Sequence, residues 1–188
     1  FSFYKTHNND LYNKLVELSR NIFFYRDLKL KDNFETRIIL IFLHFSIILN
    51  LTKSKNKKLS QEVFDNIFLN IEYHLRELGY GDVSVNTKMK LLNKIFYDIL
   101  LKILKKTDAS NINNKITTVY LTSTDLKKTE NINKLTDYLQ CFYDFCFDMD
   151  HNSVLKGRIN FNYLKNGVPK RKTTKSKRNQ RRSHHKVN

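Results

Sequence analysis

One long apolar segment constrains the fold of this chain more than any other feature. Residues 38–51 form a run of 14 residues whose only polar side chains are those of His44, Ser46 and Asn50. As a helix this run spans roughly 21 Å, which is short of the ~30 Å hydrocarbon core of a bilayer. We therefore predict that residues 34–51 form the buried central helix of a bundle rather than a membrane span.

Further segments predict the helices that pack around this central helix. Residues 10–20, 60–78 and 85–105 carry apolar side chains three and four positions apart, the spacing of a helix with one buried face. Residues 135–149 form a last, aromatic-rich helical segment. One proline and four glycines in 188 residues are too few for a turn-rich sandwich or barrel.

Short polar sequences mark where these helices begin and end. Ser60 and Ser84 are predicted to cap the N-termini of the second and third segments, and Gly79 to end the second in the left-handed conformation. Residues 52–59 are predicted to form a basic loop, and residues 108–131 a longer polar loop. Residues 158–163 alternate between polar and apolar side chains, which favours an extended strand-like segment.

The basic residues are concentrated at the C-terminus. The chain carries 34 Lys and Arg against 18 Asp and Glu, a formal charge of +16. Residues 165–188 contain ten of the basic residues and no acidic one, which leaves +6 for residues 1–164. This segment has almost no apolar side chains and cannot bury enough surface to fold alone. We predict a mainly α protein: a helical bundle body, residues 1–163, with an extended basic C-terminal arm, residues 164–188.

The arm has three explanations: a solubility tail, a polybasic patch on a membrane surface, or an RNA-binding segment. A membrane patch needs only positive charge, whereas the mixture of Arg, Ser, Thr, Gln and His suits RNA phosphates and sugar hydroxyls. We therefore favour RNA. The predicted RNA-binding residues are Lys165, Lys170, Arg171, Lys172, Thr173, Thr174, Lys175, Ser176, Lys177, Arg178, Gln180, Arg181, Arg182, Ser183, His184, His185 and Lys186.

The body shows no pattern of catalytic or metal-binding residues. Cys141 and Cys146 are five positions apart on a predicted helix and so lie on different faces, which fits two buried thiols better than a metal site. His44 fits a hydrogen-bonded core histidine better than a ligand, and His74 fits a helix flank. Phosphate loops, nucleophile elbows and His-Glu-x-x-His motifs do not occur. We expect no enzymatic activity, no metal, no cofactor and no small-molecule substrate.

Two parts of the chain resemble known families. The run of residues 167–185, which includes Val168-Pro169-Lys170-Arg171-Lys172 and Arg181-Arg182-Ser183-His184, resembles the N-terminal arm of bacterial-type large-subunit ribosomal protein thirty-two. That resemblance implies a peptide buried in large-subunit ribosomal RNA. The sequence departs from that family after Lys186, so the resemblance does not extend to the family's globular, often zinc-binding remainder.

Residues 10–162 resemble the ubiquinol–cytochrome c reductase assembly chaperone family. The resemblance rests on Tyr25-Arg26-Asp27-Leu28, Leu43-His44, Leu75-Arg76-Glu77-Leu78-Gly79-Tyr80-Gly81-Asp82-Val83-Ser84-Val85 and Leu155-Lys156-Gly157-Arg158-Ile159-Asn160-Phe161. It implies a helical fold and proximity to newly made cytochrome b at a respiratory membrane. Lys29 and Asp98 stand at positions where that family tends to have glycine.

Both resemblances point to the mitochondrion, where bacterial-type ribosomes and respiratory assembly meet. The leading hypothesis is a structural constituent of the mitochondrial large ribosomal subunit, with ribosomal RNA and neighbouring ribosomal proteins as partners. The alternative is an assembly chaperone for the cytochrome bc complex, tethered to the ribosome or inner membrane by its arm, with newly made cytochrome b as a partner. A membrane-surface protein that uses residues 38–51 and the arm is a third hypothesis.

Overall fold

The computed structural model describes residues 9–104, 120–121 and 129–163, and within these ranges the chain is helical without β-strands. The mainly α prediction is therefore confirmed. The elements are α1 (Asp10–Ser19), a π-helical turn (Phe23–Asp27), α2 (Phe34–Ser54), α3 (Gln61–Glu77), α4 (Asp82–Leu104), α5 (Thr129–Asp148) and α6 (His151–Leu155). The predicted polar loop, apart from its few residues within the described ranges, and the whole basic arm lie outside the described residues.

Helix α2 is the buried centre of the bundle, as the apolar segment predicted. All side chains from Ile38 to Ile48 are buried, and Asn33 caps the helix by accepting a hydrogen bond from the Thr36 amide at 2.9 Å. The helix is long and apolar enough to cross a membrane, but 67% of its most apolar window is buried inside the bundle. It packs against α1, α4 and α5.

Opposite faces of α2 contact α4 and α5. Phe42 packs against Phe96 of α4, with ring centroids 5.2 Å apart, whereas His44 packs against Phe142 of α5 at 4.8 Å. Two positions along a helix differ by about 200°, so these side chains point in nearly opposite directions. The bundle therefore has three layers: α4 with its antiparallel neighbour α3, then α2, then α5.

His44 is a hydrogen-bonded core histidine, as predicted. It is fully buried, and its Nδ1 lies 2.6 Å from the carbonyl oxygen of Leu40. A carbonyl only accepts, so Nδ1 carries the proton and Nε2 accepts from the Tyr138 hydroxyl at 3.0 Å. Burial lowers the pKa of His44 to about 4, so the ring is neutral at physiological pH.

Several predicted boundaries need correction. Helix α4 begins at Asp82, so Ser84 lies in its first turn and is not the cap; the Gly81 carbonyl accepts from the Val85 amide instead. Helix α2 continues to Ser54, three residues into the predicted basic loop. Ser60 does occupy the N-cap position of α3, but its hydroxyl makes no capping hydrogen bond.

The segment after α6 closes the bundle. Ile159 and Phe161 are buried while Arg158, Asn160 and Asn162 are exposed, which is the alternation that the sequence predicted. Phe161 packs against Phe142 and two other aromatic rings of α5. The described chain therefore ends in an extended segment laid across α5.

The two cysteines lie apart from any metal-binding arrangement. Cys146 is buried and Cys141 is half-buried, and neither forms a disulfide. Burial raises the pKa of Cys146 to about 12, which makes this thiol unreactive. The prediction of two buried thiols is thus confirmed for Cys146 and only half met by Cys141.

Candidate functional site

A half-open cleft of about 210 Å³ lies where the C-terminal ends of α1 and α3 meet the N-terminal half of α2. Each helix contributes side chains three and four positions apart, which places one stripe per helix in the cleft. The lining residues are Val16, Ser19 and Arg20 of α1, Phe34, Arg37, Ile38 and Ile41 of α2, and His74, Glu77 and Leu78 of α3.

The floor of the cleft is apolar and continuous with the core. Ile38 and Ile41 are buried against the bundle, and Val16 and Phe34 pack against the same cluster. Leu78 is 57% exposed at the mouth of the cleft. An apolar side chain from outside the protein could therefore be buried here, with a gain of about 25 cal/mol for each Å² removed from water.

The rim is polar and mostly fixed by hydrogen bonds. His74 Nδ1 lies 2.8 Å from the Tyr12 hydroxyl, and its Nε2 lies 3.9 Å from the Glu77 carboxylate. Arg37 donates from Nε to Asp32 at 2.7 Å. Burial raises the pKa of Tyr12, so its hydroxyl stays protonated.

Arg20 is the exception on this rim. Its side chain is exposed, and the described residues offer it no ion pair. It ends α1 and is followed by the π turn, which Tyr25 fixes by donating a hydrogen bond to the Ser19 carbonyl at 2.6 Å. Burial raises the pKa of Tyr25 as well, which keeps this donor protonated. Arg20 is thus a cation held at the cleft mouth and available to a carboxylate.

The turn that follows α3 shapes the other side of the cleft. Arg76 donates to Glu72 at 2.8 Å and also binds Asp82, so one guanidinium joins α3 to the start of α4. Gly79 has φ +86°, as predicted for a left-handed helix end. The run of residues 75–85 is therefore a tight helix–helix connection that also places Leu78 at the cleft mouth.

The size and lining of the cleft suit apolar side chains of a polypeptide. Its volume is below the roughly 300–1,000 Å³ typical of small-molecule and cofactor pockets, and fits one or two apolar side chains. Across the described ranges, no cluster of three or more His, Cys, Asp or Glu side chains could hold a metal ion. An apolar floor with Arg20 and Glu77 at its rim suits a polypeptide segment that carries apolar side chains beside charged or polar groups.

The predicted RNA-binding residues, from Lys165 to Lys186, all lie outside the described residues. Their role stays a prediction. Sequence reasoning did not find the cleft, because the three stripes belong to separate helices and their spacing does not reveal which faces meet. The one available signal was the run of residues 75–85, which the sequence singled out and which supplies Glu77 and Leu78.

Comparison with known proteins supports both resemblances. The family model described as ubiquinol-cytochrome C chaperone matches residues 26–161, and the model of the Ribosomal L32p protein family matches residues 167–188. No curated protein matches the chain.

A solved structure shares the fold of the body. The crystal structure of the Cbp3 homolog from Brucella abortus superposes with a TM-score of 0.62 at 23% sequence identity. The match covers 81% of this chain and 87% of that one. At this identity the likeness establishes a common helical architecture.

Proposed function

Because the chain belongs to the ubiquinol-cytochrome C chaperone family, we propose that it is a non-enzymatic assembly factor for the cytochrome bc complex. Its substrate is newly made cytochrome b. The observation that carries this proposal is the family match over residues 26–161, which contains the described body from the end of the π turn onwards but not α1. The cleft supports it, since its lining is suited to holding a polypeptide and offers no catalytic arrangement.

The cleft is the part of the body that we assign to partner binding. Ile38 and Ile41 give an apolar floor, and Arg20 gives an exposed cation at the rim that forms no ion pair with the described residues. A membrane-protein segment before insertion exposes apolar side chains, and the cleft would shield one or two of them from water. Exchange of Arg20 for glutamate tests the polar part of this contact without touching the core.

The basic arm is the proposed tether to the ribosome. Its match to a ribosomal-protein family over residues 167–188 supports contact with large-subunit ribosomal RNA. The proposed compartment is the mitochondrion, in the matrix or at the inner membrane through the ribosome. A chaperone held on the ribosome would meet cytochrome b while it is being made.

The second candidate is a structural constituent of the mitochondrial large ribosomal subunit, which the sequence alone placed first. The short match at residues 167–188 favours it. The much longer match over residues 26–161 reverses that order, because a purely ribosomal role would leave the fold of the body without an assigned purpose.

Depletion of the protein separates the two candidates. An assembly chaperone that is lost should lower the amount of assembled cytochrome bc complex while synthesis of the other mitochondrially encoded proteins continues. Loss of a ribosomal constituent should lower the synthesis of all of them together. Pulse labelling of mitochondrial translation, followed by native gels of the respiratory complexes, distinguishes these outcomes.

A further inference from the structure

The outer face of α4 exposes more apolar surface than a solvated helix needs. Val83 is 82% exposed, Leu91 57%, Tyr97 50% and Leu101 55%. The opposite face of the same helix is already buried against α2 through Phe96 and its neighbours. Helix α4 therefore exposes apolar side chains beyond those that it buries against α2.

These side chains form one band along the helix. At about 100° per residue, positions 83, 90, 94, 97 and 101 fall within about 60° of the helix circumference, and position 91 lies about 60° further round the helix. The band is about 27 Å long at 1.5 Å per residue. We define the α4 stripe as Val83, Lys90, Leu91, Lys94, Tyr97 and Leu101.

The stripe carries uncompensated positive charge. Lys90 and Lys94 are exposed, and no ion pair is formed by either within the described part of the chain. The two acidic residues of α4 are engaged elsewhere: Asp82 binds Arg76, and Asp98 binds Lys102 and the Tyr120 hydroxyl. The stripe therefore presents aliphatic side chains beside unpaired ammonium groups.

The opposite layer of the bundle is acidic. Helix α5 exposes Glu130, Asp137, Asp144 and Asp148, and its single basic residue, Lys134, is paired with Glu130. Helix α3 shares a layer with α4 and exposes acidic residues of its own, so the positive charge on that side is local to Lys90 and Lys94 of the stripe. A negatively charged surface therefore attracts the stripe and repels the α5 side.

We propose that the α4 stripe docks on an anionic phospholipid surface, with the helix lying in the plane of the interface. Aliphatic side chains enter the boundary between headgroups and acyl chains, while lysine stems extend to the phosphates. Tyr97 has the amphipathic ring typical of that depth. RNA would favour arginine and stacked aromatic rings, whereas this stripe carries lysine, valine and leucine.

The last described residue lies on the far side of α2 from this surface. Tyr163 packs against Phe23 at 4.6 Å and Tyr138 of α5 at 5.0 Å. The basic arm therefore starts on the α5 side of α2, away from the stripe. Membrane contact through α4 does not depend on the proposed chaperone function, and either can fail alone.

Single tryptophan reporters test this proposal, since the natural chain has no tryptophan. The full chain is prepared as Leu101→Trp and as the more conservative Tyr97→Trp, with Phe147→Trp on α5 as the matched control, at 49% exposure. Each is mixed with vesicles of phosphatidylcholine and phosphatidylglycerol whose acyl chains are brominated. Bromine quenches tryptophan only at short range, so the readout reports which face enters the bilayer whether or not the basic arm binds the same vesicles.

We expect both α4 reporters to be quenched and to shift to shorter wavelength, while the α5 reporter keeps its emission. Equal quenching of all three reporters, or binding of vesicles with no quenching on α4, would overturn the proposal. A response of the α4 reporters to RNA but not to vesicles would overturn it as well.

Charge removal gives an independent check. Lys90→Gln and Lys94→Gln are introduced together into the Tyr97→Trp chain. Because each lysine near an anionic surface contributes to the binding free energy, the lipid concentration that gives half-maximal quenching should rise roughly 30-fold at low salt. The control pair Lys57→Gln with Lys58→Gln removes the same charge from the exposed loop between α2 and α3. An equal effect of the two pairs would contradict a specific contact through α4.

Discussion

At the scale of single residues, His44 links the stability of the core to pH. The ring is neutral in the folded protein, with a pKa of about 4, and regains its ordinary value of 6.5 on unfolding. The unfolded chain therefore binds a proton that the folded chain does not, and stability falls as the pH falls from 6.5 towards 4. Between about pH 7 and pH 5 this single group should cost about 2 kcal/mol.

Denaturant unfolding at these two pH values measures that effect. The His44→Asn variant cannot titrate, so its stability should lose about 2 kcal/mol less than the parent over the same interval. The two proteins are compared by how much their free energy of unfolding changes between the two pH values, because the substitution itself also lowers stability. Identical pH dependence in the two proteins would mean that His44 is protonated inside the fold.

Gly157 is the residue with the least room for a side chain. Its φ is +68°, and an added Cβ would lie 2.4 Å from the backbone oxygen of Asp10, at the start of α1. The atoms that a Cβ would meet belong to the backbone of α1, which cannot move aside as a flexible side chain could. The positive φ is itself unfavourable for any residue that has a side chain. Gly157→Ala should therefore lower the free energy of unfolding by about 2–4 kcal/mol.

The matched control is Gly81→Ala, where an added Cβ meets nothing within 4 Å. Its effect should be no more than about 1 kcal/mol. Thermal or denaturant unfolding of the two variants would show whether the close contact of Gly157 with the start of α1 stabilises the fold. Equal losses of stability would contradict that contact.

Two positions that depart from the family pattern can be described from the structure. Lys29, at a position where the resembled family tends to have glycine, adopts φ +55°, so the backbone there keeps the conformation that glycine favours. Asp98, the other such position, accepts bonds from Lys102 and Tyr120. Neither role follows from the sequence alone, because both depend on backbone angles or contacts distant in the chain.

At the scale of elements, Lys55 connects the C-terminal ends of α2 and α5. Its ammonium group donates to the carbonyl oxygens of Phe147 at 2.7 Å and Met149 at 2.9 Å. These are carbonyls that the end of α5 leaves without helical partners, and a cation there also suits the helix dipole. Lys55→Met should lower the free energy of unfolding by about 1–2 kcal/mol.

Lys57→Met is the control for this prediction, since it removes an exposed lysine two positions away. Its effect on stability should stay within about 0.5 kcal/mol. Hydrogen exchange of the amides near the end of α5 provides a second measurement, and should accelerate only in the Lys55 variant. An unchanged rate of hydrogen exchange in the Lys55→Met variant would show that the two hydrogen bonds from Lys55 do not stabilise the end of α5.

The elements also show how far sequence reasoning reaches. The central helix follows from its continuous apolar run, whereas α3 and the alternating residues 158–162 follow from a regular pattern of buried and exposed positions. The π turn at Phe23–Asp27 and the short α6 do not, since each is about one turn long and is held by distant contacts such as the Tyr25–Ser19 hydrogen bond. The predicted start of α4 is three residues too late, since the first helical hydrogen bond runs from the Val85 amide to the Gly81 carbonyl and Ser84 already lies inside the helix.

At the scale of the whole molecule, three parts of the chain differ in their chemistry. The cleft offers an apolar floor to a polypeptide, the α4 stripe offers lysine and aliphatic groups to a membrane, and the arm resembles a segment that binds ribosomal RNA. The cleft and the stripe lie in the described body and could be located only once the helices were packed. The arm was recognisable from its sequence, because its composition and motif are contiguous.

The central claim is that the body holds newly made cytochrome b while the arm contacts the ribosome. The most direct measurement is a short pulse of mitochondrial translation, followed by purification of the tagged full chain in parallel with its Arg20→Glu variant. We predict that labelled cytochrome b co-purifies with the natural chain and that a smaller amount co-purifies with the variant. We also predict fewer copies of the protein than of large ribosomal subunits, and its release from them by high salt. One copy per large subunit, resistant to salt and free of labelled cytochrome b, would contradict the account and establish a ribosomal constituent instead.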